Sequence, residues 1–419
     1  MELTSGLVGR WPLNGNVGSF SRGSPMKLRL AVVGAGSGRG QSWLATIRKL
    51  TEHYELCALC EVDEQRAREN AQRWGTLAYT DLTALLKEQG PDVVLCAIPP
   101  DGNHVVTYLA SEHGAHVIVE IPIAPTRSIA EFMMEVTQKH GVKLEVAENV
   151  YRWASERLKR KIVEAGLIGD IVHVRLWYLS GSYHGFNAVR TLLKSEAKRV
   201  LGYLGMVPVP NHLASGYLMR DIPESTWEGG IIEFENGVVC LYEMPPSGHR
   251  GNLWEIEGTE GGLIGSELYL GTGSNRRKFP FRFEYTTVDG QRVLDHVRVD
   301  TEPPLIFENP FKRYGVADDD EVARAQILIG FHKAVTEDLK PEYGAENAWR
   351  DQELCVAVRE SALRGNIWVE LPLSELTEVE RQMHEAYRRL YGCDPLEVEC
   401  MSKVAFPRGG VRWDVARWL

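Results

Sequence analysis

The chain has 419 residues, of which 44% are hydrophobic and 25% charged, and its formal net charge is −10. This length exceeds what one hydrophobic core usually supports, so two domains are expected, and the composition excludes collagen-like, disordered and disulfide-rich small proteins. No run of basic residues and no stretch of ~20 apolar residues occurs, so neither nucleic acid nor a membrane is expected as a partner. These numbers favour a soluble protein that acts on a small molecule.

Residues 1–26 are rich in glycine and serine, and no apolar run follows a cationic start as in a secretory signal. We predict a flexible extension here and, without a signal, a cytoplasmic protein. The seven cysteines are then expected to be free thiols, because a reducing compartment disfavours disulfides.

Short apolar runs alternate with helical stretches from residue 27 to about residue 150. The run KLRLAVVG begins this series and KLEVAEN ends it. Strands that alternate with helices predict βαβ units, and hence an α/β domain with a doubly wound parallel sheet over 27–150. The ligand crevice of such a sheet lies at the carboxyl ends of its strands.

The pattern changes after residue 150. Strand-like runs are joined by turn signals such as ENG and VDG, which are typical of antiparallel hairpins. We predict an α+β domain with a mostly antiparallel sheet over 151–375, followed by a C-terminal helix and tail over 376–419.

The segment VVGAGSGRG follows the first predicted strand and opens a helix. Gly34 permits a tight turn, Gly36 lets the backbone approach a pyrophosphate, and Gly38 or Gly40 allows close contact between helix and strand. The helix N-terminus adds unpaired N–H groups and partial positive charge. Although Arg39 stands where a strict GxGxxG has glycine or alanine, the strand before and the helix after it indicate a dinucleotide site.

An acidic residue, Glu61, ends the second predicted strand. At this position a carboxylate accepts hydrogen bonds from the adenosine ribose. Because it would also repel a 2′-phosphate, NAD is the expected cofactor and NADP is disfavoured.

With these residues the chain resembles the Gfo/Idh/MocA family of NAD(P)-dependent oxidoreductases. AIPPDGNH is similar to the family's A-T-P-P-x-x-x-H stretch, VIVEIP to its E-K-P motif, and EAGLIGDIVHVR to its entry into the second domain. The resemblance implies a Rossmann domain, a carbohydrate or polyol substrate, and a second domain whose open sheet often mediates homo-oligomerisation. The cofactor-binding residues that we predict from motif and resemblance are Gly34, Gly36, Ser37, Gly38, Arg39, Glu61, Ala97, Pro99, Pro100, His104, Glu120, Pro122 and Asn149.

Ile121 is the main departure from the family pattern, because it stands where E-K-P has its lysine. In the family's dehydrogenases that lysine contacts the reacting hydroxyl, whereas isoleucine can neither donate a hydrogen bond nor carry charge. Losing such a donor can lower a rate ~10²-fold or more. The NAD-dependent α-N-acetylgalactosaminidases, which share the fold, also lack this lysine. Their E-N-x-x-Y and T-H-G-L-G-P-V-A motifs are similar to Glu148–Tyr151 and Tyr183–Val189.

Proton removal from an alcohol needs a base with a pKa near neutrality, and His184, in the turn-like segment SGSYHGFN, is the predicted one. Tyr151 and Tyr183 are predicted to position the substrate or donate a proton. No HExxH or GxSxG motif occurs, so neither a metal site nor an esterase-like serine is expected. The predicted substrate-binding residues are Ile121, Arg152, Asn187 and Arg190.

Three functions stay open on these residues. The first is an oxidoreductase that removes a hydride from a ring hydroxyl of a sugar, sugar derivative or cyclitol, with His184 as base. The second is a redox-neutral glycosidase, in which oxidation, elimination, water addition and reduction follow one another on bound NAD. The third is a non-catalytic NAD-binding sensor or subunit.

Overall fold

The structure, a computed structural model, describes residues 26–178, 182–207, 225–244 and 252–406. Residues 1–25 of the predicted extension and residues 407–419 of the predicted tail lie outside the described residues.

Six parallel strands form the first sheet, in the order β3-β2-β1-β4-β5-β6. This is the strand order of dinucleotide-binding doubly wound folds, so the predicted α/β fold is confirmed. The first domain, as we use the term, consists of β1 Leu28–Val33, α1 Gly38–Lys49, β2 Tyr54–Cys60, α2 Glu64–Trp74, β3 Leu77–Tyr79, α3 Leu82–Gln89, β4 Val93–Cys96, α4 Asn103–Glu112, β5 His116–Val119, α5 Arg127–His140 and β6 Leu144–Val146.

The helices of the first domain begin and end at residues suited to these positions. Side chains of Asp63, Asp81 and Thr126 cap α2, α3 and α5 by accepting a backbone N–H of the first turn. The same three helices end at glycines in the left-handed conformation. No helix of the described ranges is long and apolar enough to cross a bilayer.

A nine-stranded sheet forms the centre of the second domain, in the order β14-β13-β12-β11-β7-β10-β9-β8-β18, with a separate three-stranded sheet β15-β16-β17. Its pairs are antiparallel except β7 with β10, so the predicted α+β domain is confirmed. Its elements are α6 Ala154–Glu164, β7 Ile171–Trp177, α7 Ser182–Leu193, β8 Ala197–Val207, β9 Ser225–Phe234, β10 Val239–Met244, β11 Leu253–Gly258, β12 Gly261–Ile264, β13 Glu267–Leu270, β14 Arg277–Pro280, β15 Arg282–Val288, β16 Gln291–Val299, β17 Leu305–Glu308, α8 Asp319–Thr336, α9 Gly344–Leu363 and β18 Val369–Glu370.

The two faces of the nine-stranded sheet differ. Helix α9 covers one face so closely that a Cβ at Gly202 of β8 would lie 1.9 Å from the carbonyl oxygen of Val358. Neighbouring side chains of a strand point to opposite faces. Accordingly, Tyr203 is 44% exposed, and its ring contacts Trp227 of β9.

The C-terminal helices, α10 Glu378–Tyr391 and α11 Val398–Met401, return to the first domain. The Arg127 guanidinium donates to Glu380 at 2.8 Å, and the Tyr391 hydroxyl donates to Asp101 at 2.6 Å. The end of the described chain therefore packs against α4 and α5.

The expectation of seven free thiols is wrong for two of them, because Cys393 and Cys400 form a disulfide. The pair closes a short loop that includes most of α11. The remaining five cysteines are free and buried, namely Cys57, Cys60, Cys96, Cys240 and Cys355.

Replacing Arg127 tests how the C-terminal helix is attached. Arg127→Met leaves the fully buried Glu380 carboxylate without its cation, and we expect the free energy of unfolding to fall by about 3–5 kcal/mol in urea titrations. Arg381→Met removes an exposed arginine from the same helix and should change it by less than about 1 kcal/mol. Equal losses in the two variants would contradict this account of the helix attachment.

Candidate functional site

The carboxyl ends of the central parallel strands form one edge, and the predicted motifs follow these ends. Gly34 follows β1, Ala97 follows β4, Glu120 follows β5, and the segment from Ala147 follows β6. Backbone hydrogen bonds extend the sheet ladder to these residues, with Ala97 N donating to Val33 O and Ala147 N to Val119 O, both at 2.8 Å. Residues distant in the sequence therefore meet at a single crevice, as parallel topology requires.

The glycine-rich turn has the geometry predicted for a dinucleotide site. Gly34 has φ 86°, a left-handed conformation, and a Cβ there would lie 2.6 Å from Ala97 O. Gly40 provides the close contact between helix and strand, since its Cβ would lie 2.4 Å from Gly34 O. Gly38 is exposed with no atom within 4 Å of a built Cβ. Ser37 caps α1 by accepting from Gly40 N at 2.8 Å.

Glu61 lies directly beside this turn at the end of β2. Gly36 N donates to its Oε2, and a Cβ at Gly36 would lie 2.0 Å from the same oxygen. The carboxylate is thus held against the backbone of the glycine turn. Its position fits a contact with the adenosine ribose, and a side chain at Gly36 would displace it.

The predicted cofactor contacts that follow β4 lie in different environments. Pro99 and Pro100 are half-buried at the crevice end of the strand. His104, in α4, is fully buried and packs against the rings of Phe132 and Tyr387 at 6.5 and 6.3 Å. Burial lowers the pKa of His104 to about 4. The structure therefore places His104 in the core beneath the C-terminal helix rather than at the crevice.

Glu120 connects the loop after β5 to the glycine turn. Its Oε1 accepts from Arg39 Nε and from Trp43 Nε1, both at 2.5 Å. The loop itself is held by Asn103, whose Nδ2 donates to the carbonyl oxygens of Glu120 and Pro122 at 3.0 and 3.1 Å. Ile121 is half-buried between these two anchored residues.

The predicted base, His184, lies in the first turn of helix α7, so the turn predicted for its segment is wrong. Its Nδ1 is 2.7 Å from Oε1 of Glu148, a carboxylate that is 1% exposed and also accepts from Val150 N. A carboxylate that only accepts places the proton on Nδ1 and leaves Nε2 as the basic nitrogen. Glu148 was not among the predicted site residues, although its place directly before Asn149 in the E-N-x-x-Y-like segment was the available signal.

Tyr183 lies beside His184, with the ring centroids 4.7 Å apart. Burial, together with the nearby charge of Glu148, raises the pKa of the Tyr183 phenol above its ordinary value. At neutral pH the phenol therefore keeps its proton and acts as a hydrogen-bond donor.

Asn149 offers a hydrogen-bond acceptor to the crevice. Its Nδ2 donates to Oδ1 of Asp320, at the start of α8, while its own Oδ1 is buried without a partner among the described residues. Asp320 was not among the predicted site residues, because 171 positions separate it from Asn149.

Tyr151 lies in the short 3-10 turn, Val150–Arg152, that follows Asn149. It is buried, and its ring contacts the guanidinium groups of Arg152 and Arg157 at 4.8 and 5.2 Å. It lines a small cavity with Glu156, Arg160, Ala188, Leu192 and Trp254, a lining that does not include His184. The 3-10 turn that contains Tyr151 packs against helix α7, which carries the predicted base His184.

The other predicted substrate-binding side chains are each paired with a carboxylate inside the protein. Arg152 is fully buried and contacts Glu145 and Glu342. Arg190 donates to Asp351 at 2.6 Å and Asn187 donates to the same carboxylate at 3.2 Å. These contacts satisfy buried charges and hold α7 against α9.

One cluster of the described residues has the donor set of a metal site, Asp295, His296 and Glu308. Lys312 lies within it and pairs with Asp295 at 2.7 Å and with Glu308 at 3.3 Å. The ammonium group of Lys312 thus already provides a positive charge beside these carboxylates.

The sheet order and the glycine turn define a dinucleotide-binding Rossmann protein. Residues 28–148 match the model of the Gfo/Idh/MocA oxidoreductase family, which is described as an NAD-binding Rossmann fold. The resemblance to this family that the motifs predicted is therefore confirmed.

The individual relatives that match the chain have low sequence identity to it. Glycosyl hydrolase family 109 protein 2 from Akkermansia muciniphila is 27% identical over 176 residues, 39% of this chain and 36% of that protein. Levoglucosan dehydrogenase from Pseudarthrobacter phenanthrenivorans is 24% identical over 247 residues, 49% of this chain and 63% of that protein. The chain thus matches less than two thirds of the length of these curated relatives.

A solved structure of levoglucosan dehydrogenase, in complex with NADH and levoglucosan, has the same fold. Its TM-score is 0.65 at 20% identity, and the match covers 83% of this chain and 100% of that chain.

Removing His104 tests its position in the core. Because burial holds its pKa at about 4, below the ordinary value of 6.5, the unfolded chain takes up the proton first as the pH falls. This histidine should lower the free energy of unfolding by ~1.4 kcal/mol per pH unit between these values. In His104→Leu that loss should be absent from the acid limb, while NAD affinity stays unchanged. The exposed His113, replaced in the same way, is the control, and a large loss of NAD affinity in His104→Leu would restore His104 to the cofactor site.

Proposed function

We propose that the protein is an NAD-dependent oxidoreductase that removes a hydride from a ring hydroxyl of a sugar, sugar derivative or cyclitol. The observation that carries this proposal is the His184–Glu148 pair at 2.7 Å, at the carboxyl end of β6 and on the same edge of the parallel sheet as the glycine turn. A base oriented by a buried carboxylate is what proton removal from an alcohol requires.

NAD fits the residues of the crevice. The glycine turn at the N-terminus of α1 suits a pyrophosphate, and Glu61 beside it favours a ribose with a free 2′-hydroxyl over a 2′-phosphate. The unpartnered Oδ1 of Asn149 offers an acceptor to a donor group of the ligand. When bound, NAD supplies the hydride acceptor for oxidation and, in a redox-neutral cycle, the hydride that is returned.

Residues of the chain accept the proton and stabilise the charge that results. His184 Nε2 accepts the hydroxyl proton, and the Glu148 carboxylate stabilises the imidazolium that forms. General-base catalysis of this kind contributes ~10²–10⁴-fold to the rate. Tyr183, which stays protonated, donates a neutral hydrogen bond where a family lysine would bring positive charge.

A second function, redox-neutral glycoside cleavage, is favoured by Ile121. Isoleucine provides no cation to stabilise an alkoxide. In a redox-neutral cycle the keto sugar need never be released, because elimination and water addition consume it in the site. Two glycosyl hydrolase family 109 proteins of Akkermansia muciniphila are each 27% identical over 176 residues. A non-catalytic sensor or subunit is the third reading, and it requires that the His184–Glu148 pair serve no reaction.

The wider organisation is also part of the proposal. The exposed face of the nine-stranded sheet, with Tyr203, supports a homo-oligomer. A cytoplasmic location stays a prediction, against which the disulfide Cys393–Cys400 weighs, because reducing compartments keep thiols reduced. The domain limits 27–150 and 151–375 are likewise proposed.

The first experiment separates these functions. The purified chain with NAD is given a panel of free sugars and cyclitols and, separately, nitrophenyl glycosides, while NADH and nitrophenol absorbance are followed together. We expect NADH to accumulate with at least one free sugar or cyclitol, because the base and the hydride acceptor lie in one crevice. Nitrophenol release without net NADH would establish the glycosidase instead, and NAD binding without either product would establish the non-catalytic protein.

Two substitutions test the catalytic pair. His184→Ala should lower kcat ~10²–10⁴-fold with NAD affinity changed less than twofold, since the base is removed and the dinucleotide contacts remain. Glu148→Gln should also lower kcat, because the imidazolium that forms loses its carboxylate partner. His113→Ala, at an exposed position, is the control. Wild-type kinetics in both site variants would remove this pair from the mechanism.

A further inference from the structure

Asp320 lies in the first turn of α8, in the second domain, but its carboxylate reaches the cofactor crevice of the first. Oδ1 accepts from Asn149 Nδ2, and Oδ2 accepts from Arg39 at 2.9 Å. Arg324, one helical turn further along α8, also donates to Oδ2. A single side chain thus contacts residues that follow β1 and β6.

The ionised state of Asp320 decides the orientation of the Asn149 amide. Although partial burial acts in the opposite direction, the charges of Arg39 and Arg324 hold the pKa of Asp320 below its ordinary value. A carboxylate only accepts, so the NH₂ end of Asn149 must face it. The opposite orientation would place the amide oxygen against a negative charge.

This orientation leaves Asn149 Oδ1 as a buried acceptor without a partner among the described residues. Such an atom normally costs stability, so its presence in a ligand crevice points to a donor that the ligand supplies. Arg39, the other partner of Asp320, is paired with Glu120 and Asp320 at the same time, and is not oriented to donate to Asn149 Oδ1.

We propose that Asp320 is a positioning residue for the coenzyme, which orients Asn149 so that Oδ1 accepts a hydrogen bond from the carboxamide N–H of the nicotinamide. The inference rests on the proposed function, because it requires NAD in this crevice. A sugar hydroxyl has the same donor chemistry, and the experiment distinguishes the two sources. The nicotinamide is favoured because Arg39 joins Asp320 to the helix of the glycine turn, which belongs to the dinucleotide site.

The test compares the dissociation constants of NAD and of 3-acetylpyridine adenine dinucleotide, in which a methyl group replaces the carboxamide NH₂. Calorimetry on the full chain gives both values without any turnover. The wild type should bind NAD ~3–10-fold more tightly than the analogue, the contribution of one hydrogen bond. In Asp320→Asn, whose side chain can both donate and accept, Asn149 is free to turn, and the ratio should fall to near one.

The control is Asp318→Asn, which removes a carboxylate that caps the same helix by accepting from Glu321 N at 2.9 Å. This variant should keep the wild-type ratio. A wild type that binds both dinucleotides equally, or an Asp320→Asn variant that keeps the preference, overturns the inference. So does an Asp320→Asn variant in which only the KM of the sugar rises, since the donor is then a substrate hydroxyl. A wild type that binds neither dinucleotide overturns the proposed function itself.

Discussion

The guanidinium of Arg39 lies between two carboxylates that come from different domains. Glu120 follows a strand of the first sheet, Asp320 begins a helix of the second domain, and both pair with Arg39 within 2.9 Å. Hydrogen bonds between charged partners are short and strongly directional. They set the distance between the glycine turn, the loop of Ile121 and the amide of Asn149, on which the geometry of the whole crevice depends.

In the proposed function, this crevice combines a well-oriented base with a weak site for developing negative charge. His184 is aligned by Glu148 inside the protein, whereas Ile121 removes the cation that family dehydrogenases place near the reacting oxygen. In that proposal Tyr183 is a neutral donor and compensates only in part, because a charged donor stabilises an alkoxide more strongly. The residues thus support proton removal better than they stabilise an alkoxide. For this reason both sugar oxidation and glycoside cleavage are kept as proposed functions.

Several side chains with the right chemistry for a substrate site are used for structure instead. Arg152, Arg190 and Asn187 were predicted from the sequence as substrate contacts, but each pairs with a buried carboxylate of the protein. A buried charge must be paired, and the sequence does not show which carboxylate will do so. His184 was placed in a turn-like segment, yet it lies in the first turn of α7, which packs against α9 and the sheet.

The amino-acid sequence by itself determined the local features of this protein: the glycine turn with Gly34 and Gly36, the acidic residue Glu61 at a strand end, and the alternation of strands and helices. These depend on backbone conformation and on the spacing of apolar residues, which neighbouring positions set. Only the tertiary structure decided that Glu148 orients His184 and that Asp320 orients Asn149. Both are contacts between distant segments, and they exist because the ends of parallel strands and the start of α8 meet at one edge of the fold.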